Sequence, residues 1–447
     1  MKKMIDFDKK ASTCGVKEYD SAKEIILGAW YSPDTIDELW DWYKQAGFNE
    51  ITIFPSNEET YSYFMKALAY CKNLGINAHV YMHNSSTSFG KGWKELLKGY
   101  EHVVSGFDVF DEPLGDKRFS SYVGRCDIDD LIDGVEYVLK EFPDKNLTVT
   151  LWPNYAIPDQ VSMPDGQGYE DYVKKYCDVI LPKIPQEKRW LGVDFYPYYT
   201  NRFDGGILKN LELIQYHANQ WGADVYLYVQ VMDSKVLNWR RPNEHEIRLQ
   251  YFTALAYGVK NIQVFCYQEP KLLGHNEFGY EDGEALITDG YTPRYDDAGL
   301  LVKGEYKRTN NYFVVQKLNQ ELKTLSKAYT AFTWQGVQTV LGSKRSDRDD
   351  FSSLRYTLKS VKGIQSIEAE ENLIVGFFKD VDGNDGYMFT NYSNPVDFKS
   401  SLVDIAFEDK TRAIVFKNGE QYVVDLIDGH YRTVIDGGDG HFVIPIQ

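Results

Sequence analysis

Cysteine is sparse and unpaired in this chain of 447 residues: Cys14, Cys71, Cys126, Cys177 and Cys266 lie far apart, without a CxxC spacing. An odd, scattered set argues against a disulfide framework, so all five are expected to be reduced. No run approaches the ~18 apolar residues that a membrane span requires. The amino terminus, Met-Lys-Lys-Met-Ile-Asp-Phe-Asp-Lys-Lys, opens with the charge of a signal peptide but has no apolar stretch behind it. The expected location is therefore the cytoplasm, or outside the cell if a signal has been removed. There is no HExxH and no compact His/Asp cluster, so no metal is expected. No Gly-x-Ser-x-Gly elbow marks an esterase or peptidase. Basic stripes are also lacking: 49 Lys and Arg face 66 Asp and Glu, for a net charge of −17. That balance disfavours nucleic acid and anionic membranes and leaves neutral or cationic ligands as the easier partners.

What the sequence does contain is alternation. From residue 24 to about residue 328, short β-rich apolar runs alternate with amphipathic stretches at helical spacing, which predicts repeated βα units and a parallel sheet. The strands are expected at Glu24 to Trp30, Glu50 to Phe54, Ala78 to Met82, Gly106 to Phe110, Leu147 to Leu151, Asp224 to Val229 and Asn261 to Phe265. The sixth is either VILPKI or LGVDFYPY, and the second is preferred because a helical stretch follows it directly. The first helix, through TIDELWDWYKQAG, has Asp34 or Thr35 as its expected cap and Gly47 as its stop. Eight such units close most simply into a (β/α)8 TIM barrel, whose chemistry sits just beyond the carboxyl ends of the strands. An open doubly wound sheet would usually carry a Gly-rich phosphate turn after strand 1, where this chain has Ala29-Trp30-Tyr31-Ser32-Pro33, so no nucleotide cofactor is expected.

Beyond about residue 331 the pattern changes to short alternating runs (ENLIVGFFKD, GYMFTNY, RAIVFK, EQYVVDL, GHFVIPI), separated by turn signals such as Asn418-Gly419. The expected division is a barrel over 1–330 and an antiparallel β-sandwich over 331–447. The stretch Asp382-Gly383-Asn384-Asp385-Gly386 lacks the downstream Glu of a calcium loop and is expected to be a hairpin turn.

The chemistry-bearing feature is Asp111-Glu112-Pro113, which directly follows strand 4. A barrel can present two carboxyl groups from different strand ends, one to protonate a leaving oxygen and one to act as base or nucleophile, as glycosidic bonds require. Glu112 is the candidate acid, and Pro113 biases its backbone toward an extended conformation. Asp194 in Val-Asp-Phe-Tyr-Pro at strand 6, Glu269 after strand 8 and Asp233 after strand 7 are candidates for the second group. Asp194 is preferred, as a base acting through water. Asp108, alternating on strand 4, is expected to be a buried orienting group. Flat rings and planar polar groups recur at the strand ends as candidate sugar-binding residues: Trp30, His83, Asn84, Asp111, Trp152, Asn154, Tyr196, Tyr198, Gln230 and Tyr267. Trp239 with Arg240 and Arg241 follows strand 7, where it either covers the cleft or sits on the surface.

These motifs resemble the (β/α)8 glycoside hydrolases whose acid/base Glu follows strand 4, commonly as Asn-Glu-Pro, and in particular the family 42 β-galactosidases. The resemblance rests on the eight-unit barrel, Asp-Glu-Pro, the Asp-Phe-Tyr-Pro of strand 6, the Leu-Ala-Tyr-Gly before strand 8 and the trailing β-sandwich. It implies a glycosidase acting on a carbohydrate substrate. Two positions depart from the pattern. Asp111 stands where the family usually has the Asn that bonds the sugar 2-hydroxyl, and Gln230 stands where strand 7 should end in a nucleophilic Glu. An amide cannot be that nucleophile. An inverting mechanism through Asp194 and a catalytically inactive carbohydrate-binding barrel are the two readings this leaves.

Overall fold

The computed structural model describes residues 3–54, 58–82, 92–121, 124–156, 160–235, 237–268, 283–288, 306–346 and 348–447. Their contacts form two compact units, one of Ile26–Arg241 and Asn261–Phe313, the other of Met1–Ile25, Pro242–Lys260 and Val314–Gln447.

The first unit is built on eight parallel strands: β1 (Ile26–Ala29), β2 (Glu50–Ile53), β3 (Asn77–Tyr81), β4 (Val104–Asp111), β5 (Asn146–Leu151), β6 (Trp190–Phe195), β7 (Asp224–Gln230) and β8 (Asn261–Phe265). They are ordered β1-β8-β7-β6-β5-β4-β3-β2, and the Asn49 N–H donates to the Leu27 carbonyl (2.9 Å) where β1 and β2 meet. This is the expected barrel. Helices alternate with the strands: α1 (Asp37–Gln45), α2 (Glu58–Leu74), the single turn α3 (Trp93–Leu96), α4 (Leu131–Glu141), α5 (Tyr169–Val179), α6 (Gly206–Trp221), α7 (Glu244–Ala256) and α8 (Asn310–Thr330). Contacts place α7 and most of α8 in the second unit.

Strand 6 is the second of the two candidates. All six residues of β6 are buried, whereas VILPKI runs from the end of α5 into a 3-10 turn, where Pro182 needs no amide donor. The expected cap of α1 is corrected: Ile36 occupies that position without a side-chain bond. Asp34 is drawn instead to Gln268, whose Oε1 accepts from the Asp34 N–H (3.0 Å) and whose Nε2 donates to Asp34 Oδ2 (3.1 Å). Gly47 does end the helix, at φ +85°.

The second unit contains nine antiparallel strands: β9 (Phe332–Val340), β10 (Ile364–Ala369), β11 (Leu373–Asp380), β12 (Asp385–Asn391), β13 (Ser401–Phe407), β14 (Arg412–Lys417), β15 (Glu420–Asp425), β16 (His430–Ile435) and β17 (Gly440–Ile446). Six form one sheet, β9-β11-β12-β17-β14-β15, and three form another, β10-β13-β16. Residues from both sheets, among them Val375, Phe389, Val415, Val403, Ile405 and Tyr431, share one apolar core, as a sandwich requires. The expected hairpin turns are present. Asn418 (φ +50°) and Gly419 (φ +77°) join β14 to β15, both in the left-handed region that a two-residue hairpin loop needs.

Candidate active site

Glu112 owes its position to an irregularity in β4. Asp108 pairs with Thr148 of β5, but Asp111 pairs with Thr150, so three steps along β4 oppose two along β5. A bulge of this kind re-aims the residues beyond it. The Glu112 N–H still reaches the Thr150 carbonyl (2.8 Å), but its φ is +54°. The extended backbone expected from Pro113 is thus corrected: Glu112 sits in the left-handed region, which costs a non-glycine residue of order 1 kcal/mol or more and collects at functional sites. Its surroundings hold it there. Arg125 Nη1 donates to the Glu112 carbonyl (3.2 Å) and lies 3.6 Å from Oε2, and the Tyr172 hydroxyl donates to the Pro113 carbonyl (2.7 Å).

The Glu112 side chain borders a cavity of about 430 Å³, open to solvent and lined also by Trp30, Asp111, Thr150, Asp194, Tyr196, Tyr228, Trp239 and Phe265. Each acid comes from the end of a strand, β4 or β6. Asp194 is 7% exposed and its Oδ1 has no hydrogen-bond partner. Beneath them Asp108, 1% exposed, accepts from Thr150 Oγ1 (3.2 Å) at Oδ2, while its Oδ1 is also unpartnered.

Burial dominates the electrostatics. It pushes the Glu112 carboxyl well above the usual carboxylate range, with the neighbouring charges of Asp194 and Asp111 adding to it and Arg125 opposing. Asp194 is raised by burial and by Asp111, and Asp108 likewise. Asp111 is pushed by burial up to about 6, against the pull of Arg125. Burial and mutual repulsion make the ionised form of each harder to reach, with a single guanidinium opposing them. Glu112 retains 20% of its side-chain exposure and lines the cavity. The set can therefore give a proton and accept one within one hollow.

Of the expected binding residues, Trp30, Asp111 and Tyr196 line the cavity. Trp152 does not line it; its ring lies 5.0 Å from the Arg125 guanidinium. Three others face elsewhere. Tyr267 is wholly buried against Tyr43 and Phe48, its hydroxyl donating to the Leu39 carbonyl (2.9 Å). Tyr198 is buried with Arg240 over its ring (5.1 Å). Asn154 is spent at the start of α6, its N–H donating to Asn210 Oδ1 (2.8 Å) and its Nδ2 to the Gly206 carbonyl (3.1 Å). Asp233 accepts from the Glu284 N–H (2.6 Å) and does not line the cavity. His83, Asn84 and Glu269 lie outside the described residues.

Gln230 is corrected from a sugar contact to an internal strut. It is wholly buried; its Oε1 accepts from the Tyr198 N–H (2.8 Å), and its Nε2 hydrogens are shared among the carbonyls of Tyr198 (3.1 Å), Met232 (3.3 Å) and Arg240 (3.1 Å). A carboxylate could not donate to those three oxygens, so this position calls for an amide.

Arg125, Thr150, Tyr228 and Phe265 belong to the site without having been expected there. Tyr228 and Phe265 stand at the ends of β7 and β8, where strand alternation could have found them. Arg125 carries no sequence signal, because only the bulge and the following loop bring it to Glu112. Trp239 lines the cavity from a loop closed by reciprocal backbone bonds with Ser234 (2.8 and 3.2 Å).

No protein-family model and no curated protein matches the chain. Solved structures do. A GH1 β-glucosidase from Exiguobacterium antarcticum B7 is 11% identical with a TM-score of 0.42 over 68% of this chain and 99% of that one. An aphid myrosinase is 10% identical with a TM-score of 0.40 over 69% of this chain and 100% of its own. A catalytic mutant of a GH42 β-galactosidase from G. stearothermophilus is 9% identical, covering 96% of this chain and 99% of that one with a TM-score of 0.53. At such identity the likeness to that β-galactosidase is one of fold alone.

Proposed function

We propose that this chain is a glycoside hydrolase in which Glu112 protonates the leaving glycosidic oxygen while Asp194 activates a water from the opposite side, inverting the anomeric centre. The observation that carries the reading is one cavity walled by aromatic rings and lined by both Glu112 and Asp194, where burial pushes the Glu112 carboxyl well above the usual carboxylate range. Raising an acid's pKa toward neutrality by burial and like charge suits it to general acid work at ordinary pH. Arg125, 3.6 Å from Glu112, then stabilises the carboxylate left when the proton departs. Asp111 accepts a sugar hydroxyl from the same wall. With Gln230 committed to backbone groups, a nucleophile from the end of β7 is absent among the described residues, which favours water as the attacking group. The β-galactosidase with the shared fold supports the reaction class.

The same Gln230 favours a second reading, a barrel that binds carbohydrate without cleaving it. Turnover of aryl glycosides and oligosaccharides separates the two. Glu112→Gln is expected to reduce kcat by about 10²- to 10⁴-fold on substrates with poor leaving groups. Unchanged turnover removes Glu112 from the mechanism, and no turnover by the unaltered chain leaves the binding reading. Proton NMR of the first anomer released is expected to show inversion; retained configuration eliminates Asp194 as the base.

A further inference from the structure

Trp239 reaches the cavity from the loop after β7, yet it is 8% exposed and packs on Tyr196, ring centroids 4.7 Å apart. A short ladder between the loops that follow β6 and β7 holds it there. The Thr200 N–H donates to the Asn238 carbonyl (2.9 Å) and the Arg240 N–H to the Tyr198 carbonyl (3.1 Å), so the residues on both sides of Trp239 are tied to the β6 loop. Tyr199 lies opposite Trp239 between these two bonds. Side chains add to the ladder: Thr200 Oγ1 bonds Asn238 Oδ1, and the Arg240 guanidinium lies 5.1 Å over the ring of Tyr198.

Gln230 is built into this ladder. Antiparallel partners placed as Tyr198 and Arg240 are exchange bonds through both their N–H and carbonyl groups. Here the Arg240 N–H reaches the Tyr198 carbonyl directly, and the side-chain amide of Gln230 is interposed between the other two groups. The Tyr198 N–H donates to its Oε1 (2.8 Å), and its Nε2 donates to the Arg240 carbonyl (3.1 Å). Nε2 also reaches the Met232 carbonyl (3.3 Å), at the start of the β7 loop. The amide thus offers an acceptor and a donor in the order a peptide group would. Gln230 is wholly buried, so removing its amide takes these bonds from backbone groups that lie away from water, and the two loops must shift to replace them.

We propose that Gln230 is a positioning residue for substrate binding: by clasping the β6 and β7 loops together it fixes Trp239 as a wall against which the sugar packs. The role rests on the hydrolase reading of the cavity and gives Gln230 no part in the chemistry. Glu112 and Asp194 are held by other means, Glu112 by the β4 bulge and Arg125, Asp194 by its pairing with Tyr228 of β7. Loosening the clasp therefore weakens contacts made equally by the bound substrate and the transition state, which raises KM and leaves kcat.

The test is a double-mutant cycle on the full chain, Gln230→Met and Trp239→Ala alone and together, with the aryl glycoside that the unaltered chain turns over best. Each single variant is expected to raise KM about tenfold with kcat held within about threefold, and the double variant to be no worse than Trp239→Ala. A larger fall in kcat, or KM effects that multiply in the double variant, overturns the proposal, because a merely structural loss neither spares kcat nor depends on Trp239. Fluorine NMR of the 5-fluorotryptophan protein, with the Trp239 resonance assigned by its loss in Trp239→Phe, is expected to show that resonance shifted by Gln230→Met while the others hold; an unmoved Trp239 signal also overturns it. Should Gln230→Met not fold, Thr200→Val, which removes the exposed bond to Asn238, is expected to move the same resonance and raise KM about threefold, and an unmoved resonance or an unchanged KM is then the overturning result. A chain without turnover loses the hydrolase reading alone: the same cycle is then read in the calorimetric Kd of the oligosaccharide that binds best, with the same expectations, and a chain that binds none of them overturns both.

Discussion

The two units bury acidic side chains in opposite company. In the sandwich unit, Arg248 is 6% exposed and bonds Glu321 through both terminal nitrogens (3.0 and 2.8 Å) and Asp439 through one (2.8 Å). Asp380 of the same unit meets Lys17 at 2.7 Å; burial works against its charge, yet Asn384 and Lys17 outweigh it and take Asp380 down to about 2. The barrel unit buries Glu50, Asp108 and Asp194 with hydroxyls, amides or nothing beside them, and all three are pushed up. Pairing keeps Asp380 ionised, and at Asp439 Arg248 opposes a burial that still pushes the carboxyl up. Acids buried without a cation are harder to ionise, at some cost to stability.

The sharpest way to break this contrast is to make the sandwich resemble the barrel. Arg248→Met removes the only cation bonded to both Glu321 and Asp439 among the described residues while keeping much of the side-chain volume. Stranding two buried acids is expected to cost roughly 3 to 5 kcal/mol, read as a lower midpoint in urea unfolding. A loss below about 1 kcal/mol would mean that the two acids reach water or other partners.

A second change adds an acid where the barrel has avoided one. Gln230→Glu places acceptors against the carbonyls of Tyr198, Met232 and Arg240. Only a protonated carboxyl can donate there, and it donates one hydrogen where the amide offers two. The expected loss is about 3 kcal/mol, larger at high pH, with no gain of a retaining activity. A stable, more active Gln230→Glu protein that releases retained product would show that β7 ends in a latent nucleophile site.

How much of this was legible depends on the range of the interaction concerned. The strands from β1 to β8 follow from local alternation, and the acidic Asp-Glu-Pro stood out because a polar triplet followed an apolar strand. The strands β9, β10, β13 and β16 escaped notice because segments such as IQSIEA and SLVDIAF mix charges and hydroxyls into their apolar pattern; β10 is half exposed on the smaller sheet. At the site, strand position located the carboxyls, but the direction of a side chain past a strand end is decided by the loop. Tyr198 and Tyr196 are two residues apart, yet one packs under Arg240 and the other walls the cavity. Gln230 looked like a missing nucleophile because its three carbonyl acceptors come from two separate loops. The left-handed backbone of Glu112 depends on a register shift that no local preference encodes.

The smallest expected effect relaxes the barrel's side of the contrast. Glu50 is 3% exposed, accepts from Ser105 Oγ (2.7 Å) and Gln263 Nε2 (3.2 Å), and is raised by burial from 4.5 to about 7. Because the folded state holds this proton where the unfolded chain has released it, the contribution is fully present below about pH 4.5 and is lost as pH rises through about 7. Asp380 works the other way: its contribution is present above the usual carboxylate range and lost only as pH falls toward about 2. Glu50→Gln keeps the shape and removes the titration, so it is expected to recover about 2 kcal/mol of the stability lost between about pH 5 and pH 8. Thermal unfolding of both proteins across that range reads the difference. Curves that stay parallel would mean that Glu50 ionises as easily folded as unfolded, and that water or an unseen cation reaches the barrel floor.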